Sequence, residues 1–256
     1  MSLTVLLVIT GYMFIASAGT FAFRRRPWNY PYNARPGLGY YSSLGEGFLH
    51  GRLTMAHEAD PALSALPDPY DYDLRNQKHV SYLWDASFFH GKYYLYFSPV
   101  PLLVFYMPFR LIAREWPPDN LAAAFFATWA FIMAAAFVVR ALPRLPLRRL
   151  VPWLLLLGFG NVTLFTLDDV SIYEVAILAG TAMSATWAYL LLRFIDRPGI
   201  GSATWLGVWL ALAIAARPNL VVLALCTAAP VLFTPSPRRS RLVAAFAAPL
   251  VVIALL

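Results

Sequence analysis

One stretch, residues 81–109, places a carboxylate (Asp85), an imidazole (His90) and an ammonium (Lys92) among aromatic rings that include Tyr82, Trp84, Phe88, Phe89, Tyr93, Tyr94 and Tyr96. Rings beside sparse charges suit the headgroup layer of a bilayer, where one end of a side chain is wet and the other dry. Desolvation by those rings would make Asp85 a stronger base. The plainer role for Asp85 is a cap of a turn or helix near the membrane surface. His90-Gly91-Lys92-Tyr93-Tyr94 joins a flexible glycine to donors suited to a phosphate. Its plainer role is anchoring at the interface, with Lys92 snorkelling and the tyrosines in an aromatic belt.

Five further side chains stand out. Glu174 opens an apolar run, Tyr173-Glu174-Val175-Ala176-Ile177, and an ionisable group at membrane depth is costly and usually functional. Asp168 and Asp169 precede it, with solvated helix capping as the ordinary alternative. In Arg217-Pro218-Asn219 a planar guanidinium sits between two helices, suited to a phosphate or pyrophosphate, or else to a tight turn with a snorkelling side chain. Glu46 lies on a short segment expected to rest on the membrane, where a solvated face is the ordinary reading. Glycine-rich nucleotide loops, zincin histidine pairs and a Gly-x-Ser-x-Gly elbow are absent from the sequence, and Asp68, Asp71 and Asp73 lack calcium-loop spacing.

The elements that must position these residues follow from composition. The chain of 256 residues is 60% hydrophobic and 13% charged, about half the charge of a soluble domain. The sequence therefore predicts an integral membrane protein of the all-α class: a polytopic transmembrane helix bundle with a long outer loop bearing interfacial helices. The net charge of +7 would raise nucleic acid as a partner for a soluble protein. Here the basic residues sit largely between apolar runs and fit membrane orientation instead. Cys226 is the single cysteine, which excludes an intrachain disulfide.

In chain order, residues 3–23 read as a first spanning helix, with 1–23 its domain. A cleaved signal peptide is the rival, since Ala16-Ser17-Ala18 resembles a cleavage site. Residues 24–120 form the hydrophilic part, holding all four histidines. Within it, 40–53 read as a surface helix with Leu44, Phe48 and Leu49 on the apolar side, and 67–73 as Pro/Asp turns. Residues 99–113, broken by Pro101 and Pro108, are short for a span and read as an interfacial or re-entrant helix. Residues 121–256 are the bundle, with helices over 121–139, 150–167, 175–192, 203–216 and 220–233 and another from Leu242. The apolar end at Leu256 reads as a truncated piece of a longer protein. The sequon Asn161-Val162-Thr163 falls inside one expected helix.

Excess Arg marks the cytoplasmic side of a membrane protein. Arg140, Arg144, Arg148 and Arg149 fill one connector, Asp168, Asp169 and Glu174 the next, and Arg193 and Arg197 the one after. The acidic connector is therefore expected outside. If 99–113 does not span, the long loop is outside as well. If it does, Asp85 and Glu174 lie on opposite sides, an option that Arg24-Arg25-Arg26 favours. We expect the first arrangement.

This layout resembles the GT-C superfamily of membrane glycosyltransferases, such as protein O-mannosyltransferases and transferases that decorate lipid A. The stretch from Tyr40-Tyr41 to Leu49-His50-Gly51 looks like that family's first-loop helix. Gly91-Lys92-Tyr93-Tyr94-Leu95-Tyr96-Phe97-Ser98-Pro99-Val100-Pro101 resembles the segment before its interfacial helix, and Ala216-Arg217-Pro218-Asn219 a later turn. Tyr173-Glu174 sits where the family often has a second outer-face acid. Where the family carries an acidic pair before the tyrosines, this chain has Gly37 and Leu38. The resemblance implies an inverting transfer from a polyprenyl-phosphate sugar at the outer face of a bacterial inner membrane. Asp85 and Glu174 would act as base or as ligands of a divalent cation, and Lys92, His90, Tyr93, Tyr94, Arg217 and Glu46 would contact substrate. The alternative is a non-catalytic subunit that binds or transports lipid-linked glycans.

Overall fold

A computed structural model describes residues 2–23, 38–235 and 239–254. The Arg24-Arg25-Arg26 run, Gly37 and Arg238 lie outside the described residues. Helices make up 69% of the structure, as the all-α expectation requires. The chain divides into two compact units, Met1–Phe23 with Asn120–Leu256, and Arg24–Asp119.

The first unit begins with α1 (Ser2–Ala16). It stops before residue 23 because Ala18 and Gly19 turn left-handed (φ 52° and 79°). At 1.5 Å per residue its 15 residues measure roughly 22 Å.

In the second unit, α2 (Tyr40–Leu49) runs close to its expected bounds, but its buried face differs from the expected one. Tyr40, Tyr41, Ser42, Ser43, Leu44, Gly45 and Gly47 are buried, while Leu49 is exposed. The glycines explain the difference. A Cβ at Gly45 would collide with the Trp116 indole, and one at Gly47 with the Thr54 carbonyl, so the small-residue side is the one that packs. Two short helices follow, α3 (Pro61–Ser64) and α4 (Tyr72–Gln77), each opened by an aspartate. Asp60 accepts from Ala62 N, and Asp71 from Asp73 N and Leu74 N. Asp68 accepts from Tyr70 N at 2.8 Å, the self-capping expected of this turn-rich run.

An antiparallel hairpin, β1 (Ser87–Phe89) and β2 (Lys92–Tyr94), was not expected of the sequence. Its two-residue loop is His90-Gly91, with φ of 49° and 74°. Two consecutive left-handed residues are what a type I′ hairpin turn needs, and glycine supplies the second without strain. Tyr70 fastens the hairpin, its hydroxyl donating to Phe88 O and accepting from Phe88 N.

A π-helical turn, Leu102–Tyr106, continues as α5 (Met107–Ala113). Pro108 has no N–H to give to an i−4 carbonyl, so this helix cannot keep a regular α ladder here. The combined segment Leu102–Ala113 spans roughly 18 Å. It ends in the left-handed Arg114 (φ 60°).

The remaining helices are α6 (Asp119–Ala141), α7 (Leu147–Phe159), α8 (Thr163–Asp168), α9 (Ile172–Asp196), α10 (Ile200–Ala216), α11 (Leu223–Leu232) and α12 (Arg239–Ala254). A 3-10 turn, Pro218–Val222, joins α10 to α11. Among the described residues, α6 and α9 are long and apolar enough to cross a membrane, at roughly 34 and 38 Å against a hydrocarbon core of about 30 Å. The helix expected over 150–167 is broken at Gly160-Asn161-Val162. The Asn161 side chain accepts from Thr163 N at 2.7 Å, so the sequon sits on an exposed break and not inside a helix.

Within this unit α6 and α9 run parallel. Trp129 Nε1 donates to Thr186 Oγ1 at mid-length, and Arg140 pairs with Asp196 at the C-terminal ends, 2.6 Å apart. Helix α1 is antiparallel to α6: Asn120 Nδ2, in the first turn of α6, donates to Ala16 O at 3.0 Å. Tyr12 donates to Gly158 O on α7 at 2.8 Å. Helices α10 and α12 touch backbone to backbone, since a Cβ at Gly207 would strike Phe246 O. Flanking Ala203 and Ala211 are buried on the same stripe, the small-x-x-x-small pattern that allows close crossing. Leu6, Phe14, Ile132, Trp153, Ile177 and Trp205 are exposed, giving this unit an apolar outer surface.

Candidate functional site

The expected site residues divide between the units. Asp85, His90, Lys92, Tyr93, Tyr94 and Glu46 belong to Arg24–Asp119, and Glu174 and Arg217 to the helical unit.

Asp85 is left-handed (φ 53°) and half-buried. Tyr96 donates to its Oδ1 at 3.4 Å, at the weak end of the range. His90 and Lys92 are exposed on the hairpin, with the His90 ring edge-on to Phe89. Gly91 serves the turn. Tyr93 is a core residue: 2% exposed, with rings of Phe88 and His57 against it. Its hydroxyl accepts from Leu83 N at 3.1 Å, and burial pushes that hydroxyl above the usual tyrosine value. Tyr94 is half-buried.

Glu46 is anchored. Trp116 Nε1 donates to its Oε2 at 2.9 Å, and His50 Nδ1 approaches its Oε1 at 3.8 Å. This contact brings α2 against the residues that follow α5.

A carboxylate that the sequence reading passed over lies on the same connector. Asp119, the first residue of α6, is half-buried. Tyr106, wholly buried, donates to Asp119 Oδ1 at 2.5 Å. The Tyr106 ring packs on Tyr41 with centroids 5.2 Å apart. The other oxygen, Oδ2, fills the space a side chain at Gly39 would need, 2.8 Å from a Cβ there. Burial, and then the Asp119 carboxylate, hold the Tyr106 hydroxyl well above the usual tyrosine value, so it stays a donor. Tyr40 donates to the Trp84 carbonyl, tying the start of α2 to the residue before Asp85. The outcome is a pair of carboxylates, Glu46 and Asp119, each oriented by an aromatic donor, Trp116 and Tyr106. Pro117-Pro118-Asp119 ahead of an apolar run was the only local signal for Asp119, and it marks a helix start. Its partner is thirteen residues upstream, where no spacing rule links them.

In the helical unit Glu174 completes a capping box. Its Oε2 accepts from Ser171 N at 2.8 Å and from the Ser171 hydroxyl, which in turn accepts from Tyr173 N. Arg217 reaches the same end of α9, donating to Tyr173 O at 3.3 Å while its stem lies on Gly180. The structure therefore brings Arg217 to the turn that holds Glu174. Asp168 ends α8 and Asp169 is its C-cap.

Among the described residues no three His, Cys, Asp or Glu side chains gather as a metal set. The chain matches no protein-family model, no curated protein and no solved structure.

Proposed function

We propose that the chain is an inverting glycosyltransferase of the bacterial inner membrane. On this reading a GT-C-like polytopic bundle lies in the bilayer, and the hydrophilic unit faces outward. The donor is a polyprenyl-phosphate sugar. The observation that carries the reading is the Asn120–Ala16 hydrogen bond. It supports an arrangement in which residues 24–119 leave and rejoin the helical unit at one end, so they stay on one side of a membrane that α1 and α6 cross. The opposite end holds Arg140 and Asp196 with Arg193 and Arg197 nearby in sequence, a basic end suited to the cytoplasm. The apolar outer surface of the helical unit and the length of α6 and α9 support the same placement.

Asp119 is the base this geometry favours, with Asp85 the second choice. Asp119 is partly exposed, and Tyr106 fixes its orientation. In the reaction the acceptor hydroxyl gives its proton to the carboxylate. The acceptor oxygen bonds to the anomeric carbon as the bond from that carbon to the phosphate oxygen breaks, and polyprenyl phosphate leaves. On this reading Lys92 in the hydrophilic unit and Arg217 in the helical unit are the cations proposed for the donor phosphate. A donor dissolved in the membrane needs no nucleotide loop, in keeping with the sequence.

A second reading, a non-catalytic subunit for lipid-linked glycans, draws on one observation. Glu46 and Glu174 are already committed to Trp116 and Ser171. Membranes containing the protein, supplied with a polyprenyl-phosphate sugar, separate the two. Transfer that is lost in Asp119→Asn or Asp85→Asn supports the enzyme. Transfer unchanged in both removes this assignment, and glycan-lipid binding without transfer in the native protein favours the second reading.

A further inference from the structure

A cavity of about 770 Å³ opens in the helical unit, lined by none of the residues assigned to sugar transfer. Val5, Ile132, Ala135, Ala136 and Val139 form its apolar walls, Arg140 and Asp196 its polar end, and Tyr189, seven residues before Asp196 on α9, lines it further along. The volume falls in the range of ligand pockets, roughly 300–1,000 Å³. Ile132 and Arg140 are eight residues apart on α6, so the apolar part runs roughly 12 Å along the helix. One leaflet of hydrocarbon is roughly 15 Å deep, half of the bilayer core.

The polar end is charged in both senses. Arg140 and Asp196 pair at 2.6 Å, yet both remain partly exposed, 33% and 53%. That pairing uses one guanidinium nitrogen. Arg140 Nε is buried without a hydrogen-bond partner among the described residues, and a buried donor left unmade is costly. An anion alone would have to displace Asp196 or suffer its repulsion. A headgroup carrying a phosphate and an ammonium meets both charges, with phosphate on Arg140 and ammonium on Asp196.

We propose that this cavity is a binding site for one phospholipid with a zwitterionic phosphate–ammonium headgroup, drawn from the leaflet on the basic side of the membrane. Its acyl chain lies along Ala136 and Ile132, and its headgroup bridges Arg140 and Asp196. The inference rests on membrane placement and is independent of the sugar-transfer chemistry.

The test uses the native protein in mixed vesicles of phosphatidylethanolamine and phosphatidylglycerol, extracted into mild detergent and weighed intact by native mass spectrometry. The expected result is one retained phosphatidylethanolamine, selected over phosphatidylglycerol. Asp196→Asn removes the ammonium partner and should cut that selectivity roughly tenfold. Ala136→Phe fills the cavity and should abolish retention, with sugar transfer and thermal midpoint as the checks on folding. If Ala136→Phe does not fold, Asp196→Asn decides alone. No retained lipid, a preference for phosphatidylglycerol in the native protein, or selectivity unaltered by Asp196→Asn would each overturn the proposal. Loss of lipid with transfer intact separates this site from the catalytic reading.

Discussion

Tyr106 donates to Asp119 Oδ1 at 2.5 Å while its ring is wholly buried. The hydroxyl has little freedom to turn elsewhere, so it fixes which face of the carboxylate is left for other partners. Removing the hydroxyl leaves a carboxylate oxygen short of a strong donor. Tyr106→Phe should lower stability by about 1–3 kcal/mol and reduce transfer. Asp119→Asn keeps an acceptor for Tyr106, so it should abolish transfer with a smaller effect on the unfolding midpoint. Thermal melts and a membrane transfer assay on both variants make the comparison. Equal loss of stability in the two would argue for a structural Asp119.

Alkaline pH tests the same contact. The Tyr106 hydroxyl is held well above its usual value by burial and then by Asp119, and Tyr93 is raised by burial. In the unfolded chain tyrosine ionises near about 10. The stability tied to the neutral hydroxyls is fully present below about 10. It falls as pH rises through the folded-state values, because the unfolded chain gives up its protons first. The unfolding midpoint should thus be insensitive to these tyrosines at neutral pH and drop in the alkaline range. Tyr106→Phe should make that drop shallower. An identical alkaline profile in the variant would contradict the assigned burial.

Two glycines should be intolerant of alanine for different reasons. At Gly45 a methyl collides with Trp116 and lies 2.8 Å from Leu102 Cδ1. Overpacking of this kind costs about 1–3 kcal/mol, read as a lower midpoint. At Gly39 the methyl would press on the Asp119 carboxylate. Gly39→Ala should therefore lose transfer out of proportion to its loss of stability. A Gly39→Ala variant with full transfer would uncouple Asp119 from the reaction.

Glu174 separates capping from chemistry. A capping box accepts glutamine nearly as well as glutamate. Glu174→Gln should keep the unfolding midpoint, whereas Glu174→Ala should lose about 0.5–2 kcal/mol. Transfer that survives in Glu174→Gln places the residue in the helix cap alone. Transfer lost in Glu174→Gln at native stability gives it a chemical role.

Sidedness can be read directly. With Cys226→Ser as background, Ser64→Cys puts a thiol on an exposed position of the hydrophilic unit. A membrane-impermeant maleimide added to intact cells with the outer membrane opened should label it. Labelling only after lysis would place the unit in the cytoplasm and remove the outward-facing reading.

How far the sequence announced this structure depends on whether a signal was local. Apolar runs located α6, α9 and α10 within a few residues, since length and hydropathy are properties of one segment. Pro101 and Pro108 marked the short Leu102–Ala113 segment in the same way. Two local signals were present and were assigned other work. Ser171-Ile172-Tyr173-Glu174 spells a capping box, and a glycine between Phe88-Phe89 and Tyr93-Tyr94 spells a hairpin turn. Gly160-Asn161 likewise announces the break between α7 and α8. The Tyr106–Asp119 and Glu46–Trp116 pairs had no such signature. They join residues 13 and 70 positions apart, and only the packing of glycine-lined α2 makes them neighbours.

Because Asn120 is tied to Ala16, the ninety-odd residues of Arg24–Asp119 form an excursion whose two roots are already side by side. Evolution or an engineer could lengthen, shorten or exchange that excursion at little entropic cost, since closing a longer span adds only about 0.6 kcal/mol per doubling. A short glycine-serine tether in place of Arg24–Asp119 should therefore leave the helical unit able to assemble.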